Sequence, residues 1–141
     1  MSLKIEDYAL IGNMRTSALV GNNGSIDWLC VPRFDSDACF AALPGSSENG
    51  RWRIAPVNAI RTTRRRYRDS TLILENEFVT DSGAAVVVDF MPIAERHQQV
   101  EIVRLVRGLR GAVPMQFTPL LQSSQLFGAT STLDARESSR L

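Results

Sequence analysis

The sequence is poor in the residue types that metal sites and disulfide-rich folds require. Among its 141 residues are one histidine, His97, and two cysteines, Cys30 and Cys39. Two cysteines are too few for a disulfide framework, and no nearby group of further Cys or His residues completes a zinc-binding pattern. We therefore expect buried thiols that behave as small apolar side chains, no metal site and no cofactor. A disulfide between the two cysteines is possible only if the protein is exported.

Long apolar runs and an excess of one charge are also absent. No stretch approaches the ~20 apolar residues of a membrane-spanning helix, and the N-terminal residues lack the apolar core of a signal peptide. Sixteen Lys and Arg residues oppose 15 Asp and Glu residues, which leaves a formal net charge of +1. So small a charge provides no overall field to attract nucleic acid or a membrane surface. We expect a cytoplasmic protein with neither as a partner.

The sequence also has little helical periodicity. Short apolar or alternating segments instead follow one another at a spacing of about 8–12 residues, with turn residues between them. This pattern predicts an all-β fold, an antiparallel β-sandwich. One short helix is expected over residues 38–43, because Asp35 or Ser36 can cap its start and Pro44 can end it.

Two hairpins are the strongest local signals. Residues 21–24, Gly-Asn-Asn-Gly, have the composition of a tight turn, and the strand that follows ends at Pro32, which cannot donate to a ladder. The second hairpin has its turn at residues 81–83 and returns through a β-branched run that is rich enough to be buried. A later strand over residues 99–106 is expected to turn through residues 108–111, and a last strand starts at residue 112.

Charged and aromatic side chains have structural explanations in this pattern. Glu75 and Glu77 alternate with apolar residues, which predicts a solvated strand face rather than a catalytic pair. The arginine-rich segment 61–68 is explained by cross-strand pairing with carboxylates, so it does not indicate nucleic-acid binding. Trp28 and Trp52 are expected to pack in the core.

Several ordered blocks of the sequence are distinctive. The main blocks read IEDYALIGN at residues 5–13, GSIDWLC at residues 24–30 and PRFDS at residues 32–36. In this order they resemble the N-terminal region of glycoside hydrolase family 15, which contains glucoamylase-like and trehalase-like enzymes. Further matching positions are Arg15, Thr16, 18–20, Phe40, 50–52, 64–67, 72–78 and 89–92. The resemblance covers most of the chain and fades after residues 110–115.

The resemblance implies a β-sandwich domain of the super-sandwich type that precedes a catalytic α/α barrel. Two glutamates on the barrel loops of such enzymes hydrolyse α-glucosidic bonds with inversion, one as general acid and the other as the base that activates water. No residue of this chain matches either glutamate, so no catalytic residue is assigned. We expect an incomplete, truncated domain over residues 1–121 that is inactive alone, and a polar, disordered tail over residues 122–141.

Arg33, Phe34 and Asp35 are predicted to form a domain interface or the rim of the active site; for Phe34, filling the edge of the sandwich is an equally open alternative. An aromatic side chain between opposite charges, directly after Pro32, resembles an interface hot spot. The implied partners are the barrel domain and an α-glucoside sugar. The alternative is a free-standing carbohydrate-binding module for α-glucosides, which requires a row of exposed aromatic side chains. Unpaired sheet edges predict self-association.

Overall fold

The computed structural model describes residues 3–30, 33, 38–41, 51–93 and 100–120. Within these residues the chain forms ten β-strands and one 3₁₀ turn, Ile5–Asp7, which confirms the all-β prediction. The strands are β1 (Tyr8–Gly12), β2 (Ser17–Gly21), β3 (Ser25–Cys30), β4 (Ala38–Ala41), β5 (Arg51–Pro56), β6 (Ile60–Tyr67), β7 (Leu74–Thr80), β8 (Gly83–Phe90), β9 (Val103–Gly111) and β10 (Met115–Leu120).

The strands form two antiparallel sheets. The first sheet has the order β1-β2-β3-β5-β10. On the same edge of β3, residues 25 and 26 pair with β5 and residues 28–30 pair with β4. The second sheet is the meander β6-β7-β8-β9, in which each strand pairs with its sequence neighbour. Short turns suffice for such connections because antiparallel neighbours run in opposite directions.

The β2–β3 hairpin has the predicted turn between Gly21 and Ser25. Gly24 adopts a φ of +83°, and a Cβ at this position would lie 2.0 Å from the carbonyl oxygen of Ile54. Its own carbonyl accepts the N–H of Ile54 at 3.0 Å. Gly24 is therefore required both by the turn and by the close approach of β5.

The β7–β8 hairpin also follows the prediction. Thr80 lies opposite Gly83 across the turn, and the register continues from there to Leu74 opposite Asp89. Residues 83–89 of β8 are all buried, on both faces of the sheet. Small and β-branched side chains suit a strand covered on both sides.

Two apolar clusters join the sheets face to face. In one, Ile11, Val20 and Leu29 of the first sheet pack with Leu74 and Met91. In the other, Ile54 of the first sheet packs with Phe78 and Val87 of the second, and Trp52 borders both clusters. The sheets therefore enclose a continuous core, as the sandwich prediction required.

The helix predicted over residues 38–43 is wrong where the structure describes it. Ala38–Ala41 is a strand whose residues lie opposite Cys30, Leu29 and Trp28 of β3. An isolated helix of six residues is unstable because few hydrogen bonds offset its nucleation cost. Pairing with β3 instead gives the backbone groups of this segment hydrogen-bond partners in an existing sheet. Residues 42 and 43 lie outside the described residues.

The turn predicted at residues 108–111 is also wrong. β9 continues to Gly111, which lies opposite Gly83, and it accommodates an irregularity in register where Gly108 and Arg110 face Ala85 and Ala84. A glycine inside a strand pattern marks a bulge as readily as a turn, and β8 is long enough to pair throughout. The predicted tail over residues 122–141 lies outside the described residues, and the boundary at residue 121 stays a prediction.

Candidate docking site at the Arg33 end of the first sheet

One end of the first sheet brings the β1–β2 turn beside the chain that leaves β3; we call it the Arg33 end. Gly12 lies opposite Ser17, and Ala18 lies opposite Leu29 near the end of β3. The buried hydroxyl of Thr16 donates to the carbonyl oxygen of Cys30 at 2.5 Å. This hydrogen bond ties the turn to the strand end from which the predicted site loop departs.

The β1–β2 turn is held by a buried asparagine. The Oδ1 atom of Asn13 accepts the backbone N–H groups of Arg15 and Thr16, both at 3.0 Å. Met14, between them, has a φ of +73° and is 88% exposed. Left-handed backbone costs a residue with a side chain on the order of 1 kcal/mol, so the turn presents an apolar side chain to solvent in a conformation imposed by its surroundings.

Asp27 lies within β3 and is fully buried. Its carboxylate accepts the hydroxyl of Tyr8, on β1, at 2.6 Å. Alternation of side chains along a strand predicts that Asp27 and its neighbour Ile26 point to opposite faces of β3, and both side chains are buried. A signal was present in the sequence, since a carboxylate within an apolar strand must find buried donors if both faces are covered.

Arg33 is the predicted site residue that the structure describes. It lies in an exposed bend, three residues beyond the last residue of β3. Phe34 and Asp35 lie outside the described residues, so the grouping of the three side chains stays a prediction.

A buried ion pair within the second sheet contains an arginine that also binds the first sheet, away from this end. Nε of Arg104 lies 2.6 Å from Oδ1 of Asp89, and the two side chains are 1% and 0% exposed. The guanidinium also donates to the carbonyl oxygens of Gly24 at 2.7 Å and Trp52 at 2.9 Å, and it lies 5.2 Å from the centroid of the Trp52 ring. One cation thus binds three acceptors in two sheets.

This cluster was not predicted from the sequence, because Arg104 was interpreted as one of the polar positions of its strand. The available signal was Asp89, which ends a β-branched run expected to be buried. A buried carboxylate requires a partner, and Arg is suited to that role because its planar fork donates to several acceptors. Which arginine would fill the role depends on the pairing of β8 with β9, in which Arg104 lies opposite Asp89.

Glu75 corrects the prediction of a fully solvated face on β7. Its carboxylate is buried and lies 2.5 Å from Nη2 of Arg68 and 2.9 Å from Nε of Arg66. The hydrogen bond from Arg68, assisted by Arg66, lowers the pKa of Glu75 below its ordinary value. Arg61 binds Asp81 at 2.7 Å in the same manner on the surface. The predicted cross-strand pairing of the arginine-rich segment is confirmed.

A family model described as trehalase-like, N-terminal matches residues 1–134 of this chain. The chain belongs to this family. It is 36% identical over 93 residues to a trehalase of Mycobacterium tuberculosis, a match that covers 66% of this chain and 14% of that protein. It is also 36% identical over 115 residues to Trehalase 1 of Sulfolobus acidocaldarius, covering 82% of this chain and 19% of that protein.

A trehalase of Thermoplasma volcanium gives a similar match, 36% identity over 94 residues, which covers 65% of this chain and 15% of that protein. The trehalase-like N-terminal domain therefore spans less than a fifth of the length of these curated relatives. No solved structure shows a significant match to the chain.

The described part of this trehalase-like domain holds its buried carboxylates in hydrogen bonds. Asp27 accepts from Tyr8, Asp89 from Arg104, and Glu75 from two arginines. A general acid for glycoside hydrolysis needs a raised pKa, whereas the pKa of Glu75 is lowered. Within the described residues, no three His, Cys, Asp or Glu side chains are grouped so that they could hold a metal ion. No helix in the described part of the chain has the length and apolar character to cross a membrane.

Proposed function

We propose that this chain is a non-catalytic N-terminal domain of a glycoside hydrolase of family 15, cytoplasmic and trehalase-like or glucoamylase-like. It supports the folding of a catalytic α/α barrel and shapes the entrance for an α-glucoside substrate. The observation that carries the proposal is family membership combined with coverage: the chain matches only 14–19% of proteins that are themselves named trehalases.

The Arg33 end is the surface that we assign to barrel contact. It combines the exposed Met14, in the turn held by Asn13, with the exposed bend at Arg33. Phe34 and Asp35 complete the contact in this proposal. Methionine and arginine are both enriched at the centres of interfaces.

The test uses a chimera in which this chain replaces the matching segment of the Sulfolobus acidocaldarius Trehalase 1. We expect Phe34→Ala to lower both the melting temperature of the chimera and its turnover of trehalose. Lys4→Ala, an exposed position away from the Arg33 end, serves as the matched control. Unchanged melting and turnover in Phe34→Ala would refute the docking role. Glucose released from trehalose or maltose by the 141-residue chain alone would refute the non-catalytic assignment.

The alternative, a free-standing carbohydrate-binding module, gains no specific support from the described aromatic side chains. Such a module needs a row of exposed rings on one face. Phe117 is exposed on β10 of the first sheet and packs edge-on against Trp52. Tyr67 is exposed on β6 of the second sheet, where its hydroxyl is hydrogen-bonded to Leu10. These two rings lie on different sheets.

Self-association is part of the same proposal. Among the described residues, β9 pairs with β8 alone, so the other edge of this nine-residue strand offers unpaired backbone groups. Edges of this kind pair with other chains unless they are covered. We expect light scattering of the isolated chain to show a mass that rises with concentration. A constant monomer mass would contradict this.

A further inference from the structure

Strand β10 lies at one end of the first sheet, and the directions of its backbone groups can be assigned. Ile54 of β5 lies opposite Phe117, and the N–H of Ile54 donates to the carbonyl oxygen of Gly24 on the other side of β5. Hydrogen-bonded and non-hydrogen-bonded pairs alternate along an antiparallel ladder. The N–H and C=O groups of Phe117 therefore point away from the sheet, as do those of Met115, two residues earlier. Pro119 has the same direction but no N–H to donate.

The other end strands are less suited than β10 to pairing with a second copy. On β1, the hydroxyl of Tyr67 accepts the N–H of Leu10 at 3.0 Å and donates to its C=O at 2.8 Å. β6 contains four arginines and β9 contains three, and charged side chains on an edge oppose pairing between copies of the same strand. No charged residue occurs between positions 112 and 120. Among the end strands in the described part of the chain, β10 thus combines outward backbone groups with an absence of charge.

The ring of Phe117 lies on the core side of β10 and is only partly covered. Phe117 shares a sheet face with Ile54, because directly opposite residues do so, and Ile54 is buried between the sheets. Phe117 is nevertheless 43% exposed. Its ring packs edge-on against Trp52, and Met115 packs partly buried against the cluster of Ile54. Covering Phe117 would remove apolar surface from water, which favours association.

We propose that β10 pairs antiparallel with β10 of a second copy, about a two-fold axis at Gln116. This inference rests on the self-association proposed above and names the edge that pairs first. Around this axis Met115 lies opposite Phe117 of the second copy. The outward groups of both residues then form about four hydrogen bonds, and each Met115 packs against the other copy's ring. Use of the same strand by both copies gives a closed, self-complementary dimer.

Sedimentation equilibrium of the 141-residue chain measures the dimer, and two matched substitutions locate its edge. Phe117→Lys places a charge on β10 and should raise the dissociation constant of the dimer about tenfold or more. Leu105→Lys makes the same kind of change on β9, at a residue that is 41% exposed, and should leave the constant unchanged. Circular dichroism verifies that each variant is folded.

A cysteine variant tests the register without changing Phe117. In the proposed dimer Gln116 lies opposite Gln116 of the second copy in a non-hydrogen-bonded pair, where Cα atoms are about 4.5 Å apart. This separation is within the range of a disulfide. We expect Gln116→Cys to form a covalent dimer under mild oxidation, detected on a non-reducing gel. Leu105→Cys and the wild type, which contains Cys30 and Cys39, should remain monomeric on that gel.

The outcomes separate this inference from the broader proposal of self-association. A wild-type mass that stays monomeric up to about 1 mM would refute both. A dimer that is weakened by Leu105→Lys but not by Phe117→Lys would overturn the assignment to β10 alone and would place the contact on β9. Equal weakening by the two lysine variants, or a dimer that Gln116→Cys does not cross-link, would also overturn the assignment.

Discussion

At the scale of single residues, Arg104 is a side chain on which both sheets depend. Its guanidinium binds Asp89 in the second sheet and the carbonyl oxygens of Gly24 and Trp52 in the first. Burial makes these hydrogen bonds strong, and it makes the loss of one partner costly because a buried charge is then left uncompensated.

Arg104→Met is therefore expected to lower the free energy of unfolding by about 3–5 kcal/mol. Arg107→Met, on the same strand but exposed, is the control, and we expect a change within about 0.5 kcal/mol. Urea unfolding followed by circular dichroism measures both. A loss below about 1 kcal/mol for Arg104→Met would show that the pair contributes no more than a surface ion pair.

Glu75 makes stability depend on pH. Its pKa is lowered from the ordinary value of 4.5, first by the hydrogen bond from Arg68 and then by Arg66. A lowered pKa in the folded state gives a stabilisation that is present above the ordinary value and is lost as the pH falls through the lowered one.

We expect Glu75→Gln to destabilise the domain at pH 7 and to match the wild type more closely as the pH falls below about 4.5. Unfolding by urea at a series of pH values tests this. Asp81→Asn is a suitable comparison, because Asp81 pairs with Arg61 on the surface, where screening weakens the interaction. A difference between wild type and Glu75→Gln that does not vary with pH would contradict the assignment.

At the scale of elements, the β2–β3 turn is where local and tertiary demands coincide. Gly24→Ala would place a Cβ against the carbonyl of Ile54 at a positive φ. We expect a loss of about 2 kcal/mol or more in the free energy of unfolding. Gly108→Ala is the control, because nothing lies within 4 Å of its added Cβ, and it should be tolerated. Equal melting temperatures for the two variants would show that the turn is not restricted.

The hairpins show how far elements can be predicted from the sequence. Turn residues at 21–24 and 81–83 specify both hairpins locally, because only a few residue types adopt the backbone angles of tight turns. Ala38–Ala41 and the end of β9 were not predictable in this way. Their conformation depends on pairing with β3 and β8, partners that come from other parts of the chain.

At the scale of the whole molecule, polar side chains cross between the sheets in several places. Arg65 donates to the carbonyl oxygens of Asp7 and Val20, Tyr67 pairs with Leu10, and Arg104 binds Gly24 and Trp52. Hydrogen bonds of this kind, added to the shared apolar core, couple the sheets.

We therefore expect the two sheets to unfold together. Tryptophan fluorescence reports on the first sheet through Trp28 and Trp52, and far-UV circular dichroism reports on both. The two urea transitions should coincide within error, as two-state unfolding requires. A fluorescence transition at clearly lower urea than the circular dichroism transition would show that the sheets are separable.

The sequence by itself determined the all-β class, both hairpins, the family and the position of Arg33 just after a strand, because alternation and turn chemistry act over a few neighbouring residues. The tertiary structure decided which charges are buried, Asp27 and Glu75 among them, and which arginine binds Asp89. Those outcomes depend on which strands become neighbours in the fold. The residues of one segment do not specify which distant segment will pack against it.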